Sequence, residues 1–536
     1  MRLRATYRQA ASARYRQPGG CWDVPSLDRL AADHPVVDGT AVADSSSRLD
    51  TEALSTAVAS LAGGLRAAGV TKGDAVAWQL PNCTEALVLF RACWRLGAVA
   101  VPLHHQLGPS EATRLVDTID PTVVLARPGL ALHDRPGTVT AQAGADGWET
   151  LLGSAPVRRS PARGADLAVA LFTSGSTGEP KAVLHTHRAL SYKASVMATA
   201  HGLRSSDVVL MPAPLSHISG LLSGVLIPAA VGMRTILMER WDPERALDVV
   251  EDEGVTFMIG PPTFFSGMAT APTFSRRAAS TLRVISVGSM TVSPEFVEAT
   301  ASAFGATVKR TYGSTEAPTV TTSTWSDPPD RAGHTDGRAV SDAELRVVDP
   351  DSGRVVPAGE PGELLLRGPE LFAGYADPSQ TRAALHRGWY RTGDLATVDE
   401  EGWLTIVGRI KELIIRGGEN IVPAEVERVL ESHPSIRQAV VVGYPDERLG
   451  ERVAACVIAT APFDLDACRA WFADQGIARF KTPERVVRVD AFPLLSLGKP
   501  DREALRTHIG RAGAAAGSPT PATPGPPSGG GRAQRR

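Results

Sequence analysis

Residues 171–187, LFTSGSTGEPKAVLHTH, connect an apolar run typical of a strand to a run typical of a helix. From 173 to 181, every residue except Glu179 is Thr, Ser, Gly, Pro or Lys. Gly175 and Gly178 leave room for backbone N–H groups to face an anion, the hydroxyls add donors, and Lys181 adds a charge. The stretch therefore predicts a phosphate-binding loop after a strand, with an ordinary surface turn as the alternative. It is not a Walker A loop, because Glu179 and Pro180 separate Gly178 from the lysine.

The sequence around this loop alternates helix-like and strand-like runs from about residue 55 to 313. Helix ends are marked locally: Asp242 is a typical N-cap, Pro243 a typical first residue and Gly254 a typical stop. Such alternation is typical of parallel sheets covered by helices. It predicts an α/β fold for the large N-terminal part of the chain.

Three further regions follow. Short strands separated by Gly, Pro and Asp predict a β-rich subdomain at about 334–410. Residues 411–510 predict a small α+β domain, so that 1–410 is the large N-terminal domain. Residues 511–536 are rich in Pro, Gly, Ala and Ser, and we expect a disordered tail there.

The composition excludes some functions. The chain of 536 residues is 43% hydrophobic and 21% charged with a formal net charge of −2, so it is a globular chain with no sign of a nucleic-acid partner. The five cysteines form no C-x-x-C pair, which favours a reducing compartment over a disulfide framework; they are Cys21, Cys83, Cys93, Cys456 and Cys468.

Neither a secretory signal nor a membrane span is expected. The basic N-terminus, MRLRATYRQAASARYRQ, has no apolar core segment, and we interpret it as a solvated extension, with a transit peptide as the alternative. The longest apolar stretch, 218–233, contains Ser223 and Pro228 and is shorter than the ~20 residues of a spanning helix. A cytoplasmic protein, monomer or homodimer, is the expectation.

The loop and several later segments together resemble one family. TSGSTGEPK (173–181), TYGSTEAP (311–318), WYRTGDLA (389–396), GRIKELIIRGGENIVPAEVE (408–427) and LLSLGKPDR (494–502) occur in the order of the motifs of the adenylate-forming superfamily. This superfamily contains acyl-CoA synthetases, stand-alone adenylation domains and luciferases. The resemblance covers roughly residues 50–505 and implies ATP, Mg²⁺ and CoA as cofactor and cosubstrates.

The resemblance also implies roles for individual residues. Lys499 is expected to reach the substrate carboxylate and the α-phosphate, Glu316 and Thr173 to hold Mg²⁺, and Asp394 and Arg409 to bind the ribose. Lys181, Glu316, Thr315 and Lys499 are the expected catalytic residues. The implied ATP-binding set is Thr173, Ser174, Gly175, Ser176, Thr177, Gly178, Lys181, Gly288, Ser289, Met290, Thr311, Tyr312, Gly313, Ser314, Thr315, Asp394, Arg409 and Lys499.

Two more groups follow from the same resemblance. Lys411 corresponds to the hinge between the domains, which implies that the small C-terminal domain is mobile. Gly417 and Gly418 correspond to the channel for the pantetheine thiol. The acyl pocket is assigned to His217, Ile218, Leu221, Phe264 and Phe265, although His217 fits a hydrogen-bonded core histidine equally well. Amino-acid-activating members carry an Asp in the segment PLSHISG, which this chain lacks. The resemblance thus favours a hydrophobic acid (fatty, alicyclic or aryl).

The expected function is an ATP-dependent carboxylic acid–CoA ligase. An acyl-AMP ligase that loads a carrier-protein pantetheine is the alternative, because both acceptors present the same thiol. A nucleotide-binding protein without turnover and a monooxygenase of the luciferase type are the remaining alternatives.

Overall fold

The computed structural model describes residues 3–7, 12–37, 39–173, 180–276, 279–288, 292–325, 327–494 and 500–516. The chain divides into two compact units, with the boundary between Lys411 and Glu412. The first unit contains three sheets and the second contains one.

The first unit is built on two mostly parallel sheets, as the alternating pattern predicts. The described strands of the larger sheet are, in spatial order, Arg338–Ala339, Thr321–Thr322, Thr307–Tyr312, Val284–Val287, Phe257–Gly260, Val208–Met211, Arg234–Leu237, Thr40–Ala43 and Arg48–Asp50. Those of the smaller sheet are Val139–Thr140, Val123–Ala126, Ala75–Gln79, Val99–Leu103, Leu167–Thr173 and Lys181–Thr186. Antiparallel pairs occur only at the described edges of these sheets.

Helices cover these sheets. In the first unit they are Ser12–Tyr15, Leu27–Asp33, Thr51–Ala67, Thr84–Leu96, Pro109–Ile119, Asp146–Leu152, His187–Ala200, Ile218–Leu221, Ile227–Val231, Pro243–Glu253, Pro262–Thr270, Pro294–Phe304, Pro329–His334 and Pro378–Ala384. Asp242 caps its helix through a hydrogen bond to the Arg245 N–H, and Gly254 ends it at φ +63°, as expected. The apolar run around 221–230 is not one regular helix, since a π-helical turn, Leu222–Leu226, separates its two parts.

One apolar core joins the two sheets. It contains strand residues from both, such as Val76 and Val209, and the buried helix Thr84–Leu96. Trp78 and Phe90 meet edge to face within it, with ring centroids 4.8 Å apart. This packing gives the loops at the strand ends a rigid support.

The third sheet is the β-rich subdomain. It is antiparallel throughout its described strands, which are Glu344–Val348, Gly362–Arg367, Trp389–Val398, Leu385–His386 and Leu404–Arg409. Its apolar side chains form a separate cluster that also includes Tyr7 and Val183.

The N-terminal segment corrects the expectation of a solvated extension. The N–H groups of Thr6 and Tyr7 both donate to the Ala373 carbonyl, and the Tyr15 side chain is fully buried. Trp22 donates from Nε1 to the Pro369 carbonyl, and the Arg188 guanidinium lies 3.6 Å from its ring centroid. Backbone N–H groups and the rings of Tyr15 and Trp22 make these contacts, so the described part of the N-terminal segment is packed despite its arginines.

The second unit is α+β. Its described strands are Glu419–Ile421, Ile414–Arg416, Gly450–Ala459, Ile436–Asp446 and Arg485–Arg488, and its helices are Pro423–Glu431, Leu465–Asp474 and Arg502–Ala516. The last helix continues past 510, so the expected tail is helical as far as Ala516. Short 3₁₀ turns occupy Ile410–Glu412 and Arg479–Lys481. No helix in the described parts of the chain is long and apolar enough to cross a membrane.

Candidate active site

Asp394 and Arg409 lie on neighbouring antiparallel strands and are direct partners in the register. Arg409 Nε lies 2.9 Å from Asp394 Oδ1, and the Tyr312 hydroxyl donates to Asp394 Oδ2 at 2.7 Å. Burial, followed by the Asp394 charge, raises the pKa of Tyr312 well above its usual value, so that its hydroxyl remains a donor. The structure thus brings together three residues that the sequence places in the nucleotide site.

The segment around Tyr312 requires glycine at two positions. A Cβ on Gly288 would lie 2.7 Å from Thr311 Oγ1, and one on Gly313 would lie 2.3 Å from the Thr319 N atom. The chain turns tightly after Tyr312, where the Ser314 N–H donates to the Ala317 carbonyl. Gly288 and Gly313 therefore lie too close to neighbouring atoms for a Cβ at either position.

Thr315 and Glu316 follow this turn and are held by residues from other elements. The neutral ring of the buried His185 donates from Nε2 to the Thr315 carbonyl at 2.7 Å, and burial lowers the pKa of His185 to about 4. The Tyr375 hydroxyl donates to Glu316 Oε1 at 2.7 Å. Glu316 is only 9% exposed, so its carboxylate is largely shielded from water.

Thr173 and Lys181 form the base of the hydroxyl-rich loop. They are paired in the antiparallel register of Leu167–Thr173 with Lys181–Thr186. The second of these strands was not expected from the sequence. Lys181 Nζ lies 5.2 Å from the ring centroid of Tyr375. The loop therefore leaves one strand and returns on its neighbour, with Lys181 at the point of return.

Several predicted residues lie outside the described part of the chain. These are Ser174, Gly175, Ser176, Thr177, Gly178, Ser289, Met290 and Lys499. Their assignment stays a prediction.

The predicted hinge and channel residues occupy two turns. Lys411 lies in the 3₁₀ turn Ile410–Glu412, at the boundary of the compact units. Gly417 and Gly418 join the strands Ile414–Arg416 and Glu419–Ile421 with φ +61° and +91°. Such a hairpin turn needs glycine for conformational reasons, which is a second explanation for the pair besides access of a thiol.

The five predicted acyl-pocket residues differ in exposure. His217, Ile218 and Phe264 are partly exposed, and Phe264 stacks on Trp241 with ring centroids 4.1 Å apart. Leu221 and Phe265 are fully buried in two different apolar clusters. The expectation that these two offer surface to an acid is therefore corrected, since both are core residues here.

Three residues near the site were missed by the sequence analysis. Tyr375 and His185 hold Glu316 and Thr315, as described above. The ring of His104 lies 5.5 Å from that of His217, and burial lowers its pKa to about 4. Tyr375 stands in the segment LFAGYADP, and nothing in its local pattern indicates that its hydroxyl reaches Glu316.

Comparisons with known proteins identify the family of the chain. The family model "AMP-binding enzyme" matches residues 27–376, and "AMP-binding enzyme C-terminal domain" matches 425–499. A medium-chain fatty-acid–CoA ligase of Escherichia coli is 34% identical over 95% of this chain and 95% of its own. An indoleacetate–CoA ligase of Aromatoleum aromaticum is 36% identical over 84% of this chain and 91% of its own.

Solved structures show the same likeness. ATP-bound MatB from Rhodopseudomonas palustris superimposes with a TM-score of 0.83 at 26% identity, covering 90% of this chain and 99% of MatB. Together with the two family models, matched in order along one chain, this leads to one conclusion. The chain belongs to the AMP-binding enzymes, the adenylate-forming superfamily that includes the acyl-CoA synthetases.

Proposed function

We propose that the protein is an ATP-dependent carboxylic acid–CoA ligase that acts on a hydrophobic acid. In the first step, a carboxylate oxygen attacks the α-phosphorus of ATP, the α–β phosphoanhydride bond breaks, and pyrophosphate leaves. In the second, the CoA thiolate attacks the acyl carbon of the acyl-AMP, and the bond to AMP breaks. The observation that carries the proposal is the contact of Asp394 with Arg409 and with Tyr312, which belongs to the TYGSTE segment.

The ribose of ATP binds at Asp394 in this proposal. Each carboxylate oxygen can accept two hydrogen bonds, and Tyr312 and Arg409 use one on each oxygen. One position per oxygen is left for the two ribose hydroxyls. The partly exposed face of Tyr312 lies against adenine, and Gly288, which packs against the neighbouring Thr311, belongs to the wall beside it.

The phosphates bind where Thr173 and Lys181 flank the hydroxyl-rich loop. The residues fit a Mg²⁺ ion that travels with ATP, because this hard cation takes oxygen ligands, commonly one or two carboxylates with phosphate oxygens. Glu316 offers Oε2, since the hydrogen bond from Tyr375 goes to Oε1. The hydroxyl of Thr173 is a second oxygen donor. The ion, when bound, neutralises charge on the phosphates.

Lys499 completes the first step, since an ammonium beside the α-phosphate offsets the negative charge that develops there. Lys411 serves the second step as a hinge, because rotation about a few backbone bonds is enough to present a different face of the second unit. Gly417 and Gly418 then face the thiol. All three assignments rest on the matching motifs of the family.

The acid is hydrophobic in this proposal, and His217, Ile218 and Phe264 contact it. Two observations support this: PLSHISG lacks the Asp of amino-acid-activating members, and the relatives named above act on medium-chain fatty acids and indoleacetate. Free CoA is the acceptor, as their names state. A carrier-protein pantetheine is the second candidate, because it presents the same thiol.

The experiment measures pyrophosphate and AMP release with a panel of straight-chain, alicyclic and aryl acids, each with free CoA, with holo carrier protein, or with no thiol. The proposal predicts acid-dependent pyrophosphate release and an acyl-CoA product that forms only with free CoA. Turnover with carrier protein alone would establish the second candidate. ATP binding without pyrophosphate release for any acid would contradict the proposal.

A further inference from the structure

Residues 371–376 run beside the strand Lys181–Thr186 as an irregular extra strand. The Ala373 N–H donates to the Leu184 carbonyl, the Leu184 N–H donates to the Gly374 carbonyl, and the Ala376 N–H donates to the Ala182 carbonyl. Tyr375 is thereby held opposite Val183, two residues from Lys181. The same segment reaches the nucleotide site, because the Phe372 N–H donates to the Glu316 carbonyl at 2.9 Å.

The side chain of Tyr375 touches both charged groups proposed to face the phosphates. Its hydroxyl donates to Glu316 Oε1 at 2.7 Å, and its ring centroid lies 5.2 Å from Lys181 Nζ. A tyrosine hydroxyl carries its proton at neutral pH, so it can donate to the carboxylate. One side chain thus contacts an anion by its hydroxyl and a cation by its ring.

The backbone of Tyr375 is itself anchored on two sides. Its N–H donates to Thr381 Oγ1 at 2.9 Å, and its carbonyl accepts from Thr6 Oγ1 at 2.8 Å. Its ring packs against Phe372, with centroids 5.0 Å apart. The tyrosine therefore has little freedom to move, and a group hydrogen-bonded to it shares that restriction.

We propose that Tyr375 is a positioning residue for the adenylation step, which orients the Glu316 carboxylate toward the metal and holds Lys181 beside the phosphates. The inference rests on the proposed function. With Oε1 engaged by the hydroxyl, Oε2 is the oxygen presented to the ion that accompanies ATP. Without the hydroxyl, the buried carboxylate loses its donor and turns away from this orientation.

The test uses Tyr375→Phe in the full-length protein, which keeps the ring and removes only the hydroxyl. We expect kcat for acid-dependent ATP–pyrophosphate exchange to fall by about tenfold to a hundredfold, because the lost hydrogen bond is to a charged group. KM for the acid stays unchanged. Mn²⁺ titration in the presence of ATP, followed by electron paramagnetic resonance, reports metal binding without turnover. The dissociation constant for Mn²⁺ should be about fivefold or more higher in Tyr375→Phe than in the wild type.

Tyr7→Phe is the matched control. It removes another tyrosine hydroxyl from the same apolar cluster, one that donates to the Gly388 carbonyl and does not touch Glu316. Exchange and Mn²⁺ affinity should match the wild type. Thr6→Val is a second variant, which removes the donor to the Tyr375 carbonyl and leaves every proposed active-site side chain in place. It should weaken Mn²⁺ binding in the same direction, to a smaller extent.

A double-mutant cycle with Glu316→Gln shows whether Tyr375 acts through Glu316. The effect of Tyr375→Phe on Mn²⁺ affinity should largely disappear in the Glu316→Gln background. Wild-type exchange and metal affinity in Tyr375→Phe, or full additivity of the two changes, would overturn the inference. Absence of acid-dependent exchange in the wild type would instead contradict the proposed function, so the two failures are distinguishable.

Discussion

Tyr312 and Arg409 contact opposite oxygens of the same carboxylate, that of Asp394. The Tyr312 hydroxyl lies 2.7 Å from Oδ2 and Arg409 Nε lies 2.9 Å from Oδ1. Because Asp394 is only 5% exposed, the hydrogen bonds from these two donors compensate for much of the hydration that its charge has lost. The proposed ribose site is therefore held in its binding geometry by its own residues before any nucleotide arrives.

Asp394→Asn should raise the dissociation constant for ATP by about tenfold to a hundredfold, since hydrogen bonds to a charged group are replaced by weaker neutral ones. Affinity for the acid should change little. Equilibrium binding of ATP, measured by calorimetry, checks this. The control is Glu401→Gln, which removes an exposed carboxylate that pairs with Arg331. Equal ATP affinity in Asp394→Asn and the wild type would contradict the ribose assignment.

Lys499→Ala should slow acyl-AMP formation by about a hundredfold or more, with ATP affinity nearly unchanged, because the ammonium stabilises charge that develops only during phosphoryl transfer. Rapid-quench measurement of acyl-AMP in a single turnover separates chemistry from binding. Lys481→Ala is a suitable control, since Lys481 belongs to the second unit and pairs with Glu425. Near-normal adenylation by Lys499→Ala would rule out the role.

Lys411→Pro should impair thioester formation more than adenylation, because proline restricts the backbone rotation that a hinge requires. Lys411→Ala removes the same side chain and leaves the backbone free, so it should affect the two steps equally and weakly. Each step is followed separately, as pyrophosphate exchange and as transfer of preformed acyl-AMP to CoA. If Lys411→Pro slows both to the same extent, the hinge is elsewhere.

Stability should decrease on acidification because four buried histidines resist protonation. Burial lowers the pKa of His104, His185 and His187 to about 4 and that of His201 to about 3, while unfolding restores values near 6.5. The unfolded chain then binds more protons, so stability is fully present above pH 6.5 and is lost as pH falls toward 4. Each histidine lowers the free energy of unfolding by up to about 1.4 kcal/mol for each unit that the pH falls in this window.

Urea unfolding from pH 7.5 to 4.5 measures this dependence. His201→Leu removes one of the four groups, so about one proton fewer is taken up on unfolding. The slope of the unfolding free energy against pH should decrease by up to about 1.4 kcal/mol per pH unit. His334→Leu, at the exposed end of its helix, should leave the slope unchanged. A slope that His201→Leu does not change would mean that this histidine is protonated in the folded protein.

Local patterns in the sequence predicted much of the fold. The helix Pro243–Glu253 carries its cap, its first-turn proline and its terminal glycine in the sequence, and the structure has all three in place. The strand Lys181–Thr186 was missed, although its partner Leu167–Thr173 is close in sequence, because its residues run directly into the helix that begins at His187. Packing of the basic N-terminus was missed because its partners lie near residues 340–390, far away in the sequence.

Asp394, Arg409 and Tyr312 were predicted from the motifs of the family rather than from their own local chemistry, and the structure brings the three side chains together. Their binding of ATP stays a prediction. Tyr375 was not predicted, because the role proposed for it depends on a contact with Glu316 that spans 59 residues. The complete burial of Leu221 and Phe265 was not predicted either, since the sequence pattern does not distinguish an apolar residue that lines a pocket from one in a core.

The most direct test is a crystal structure with a non-hydrolysable acyl-AMP mimic. The account predicts the ribose hydroxyls on Asp394, the adenine against Tyr312, and the phosphate analogue near Lys181, with the acyl group toward His217. In at least one orientation of the second unit, the Lys499 ammonium should lie beside the phosphoryl oxygens. A mimic bound away from Asp394 and the 173–181 loop would contradict the account.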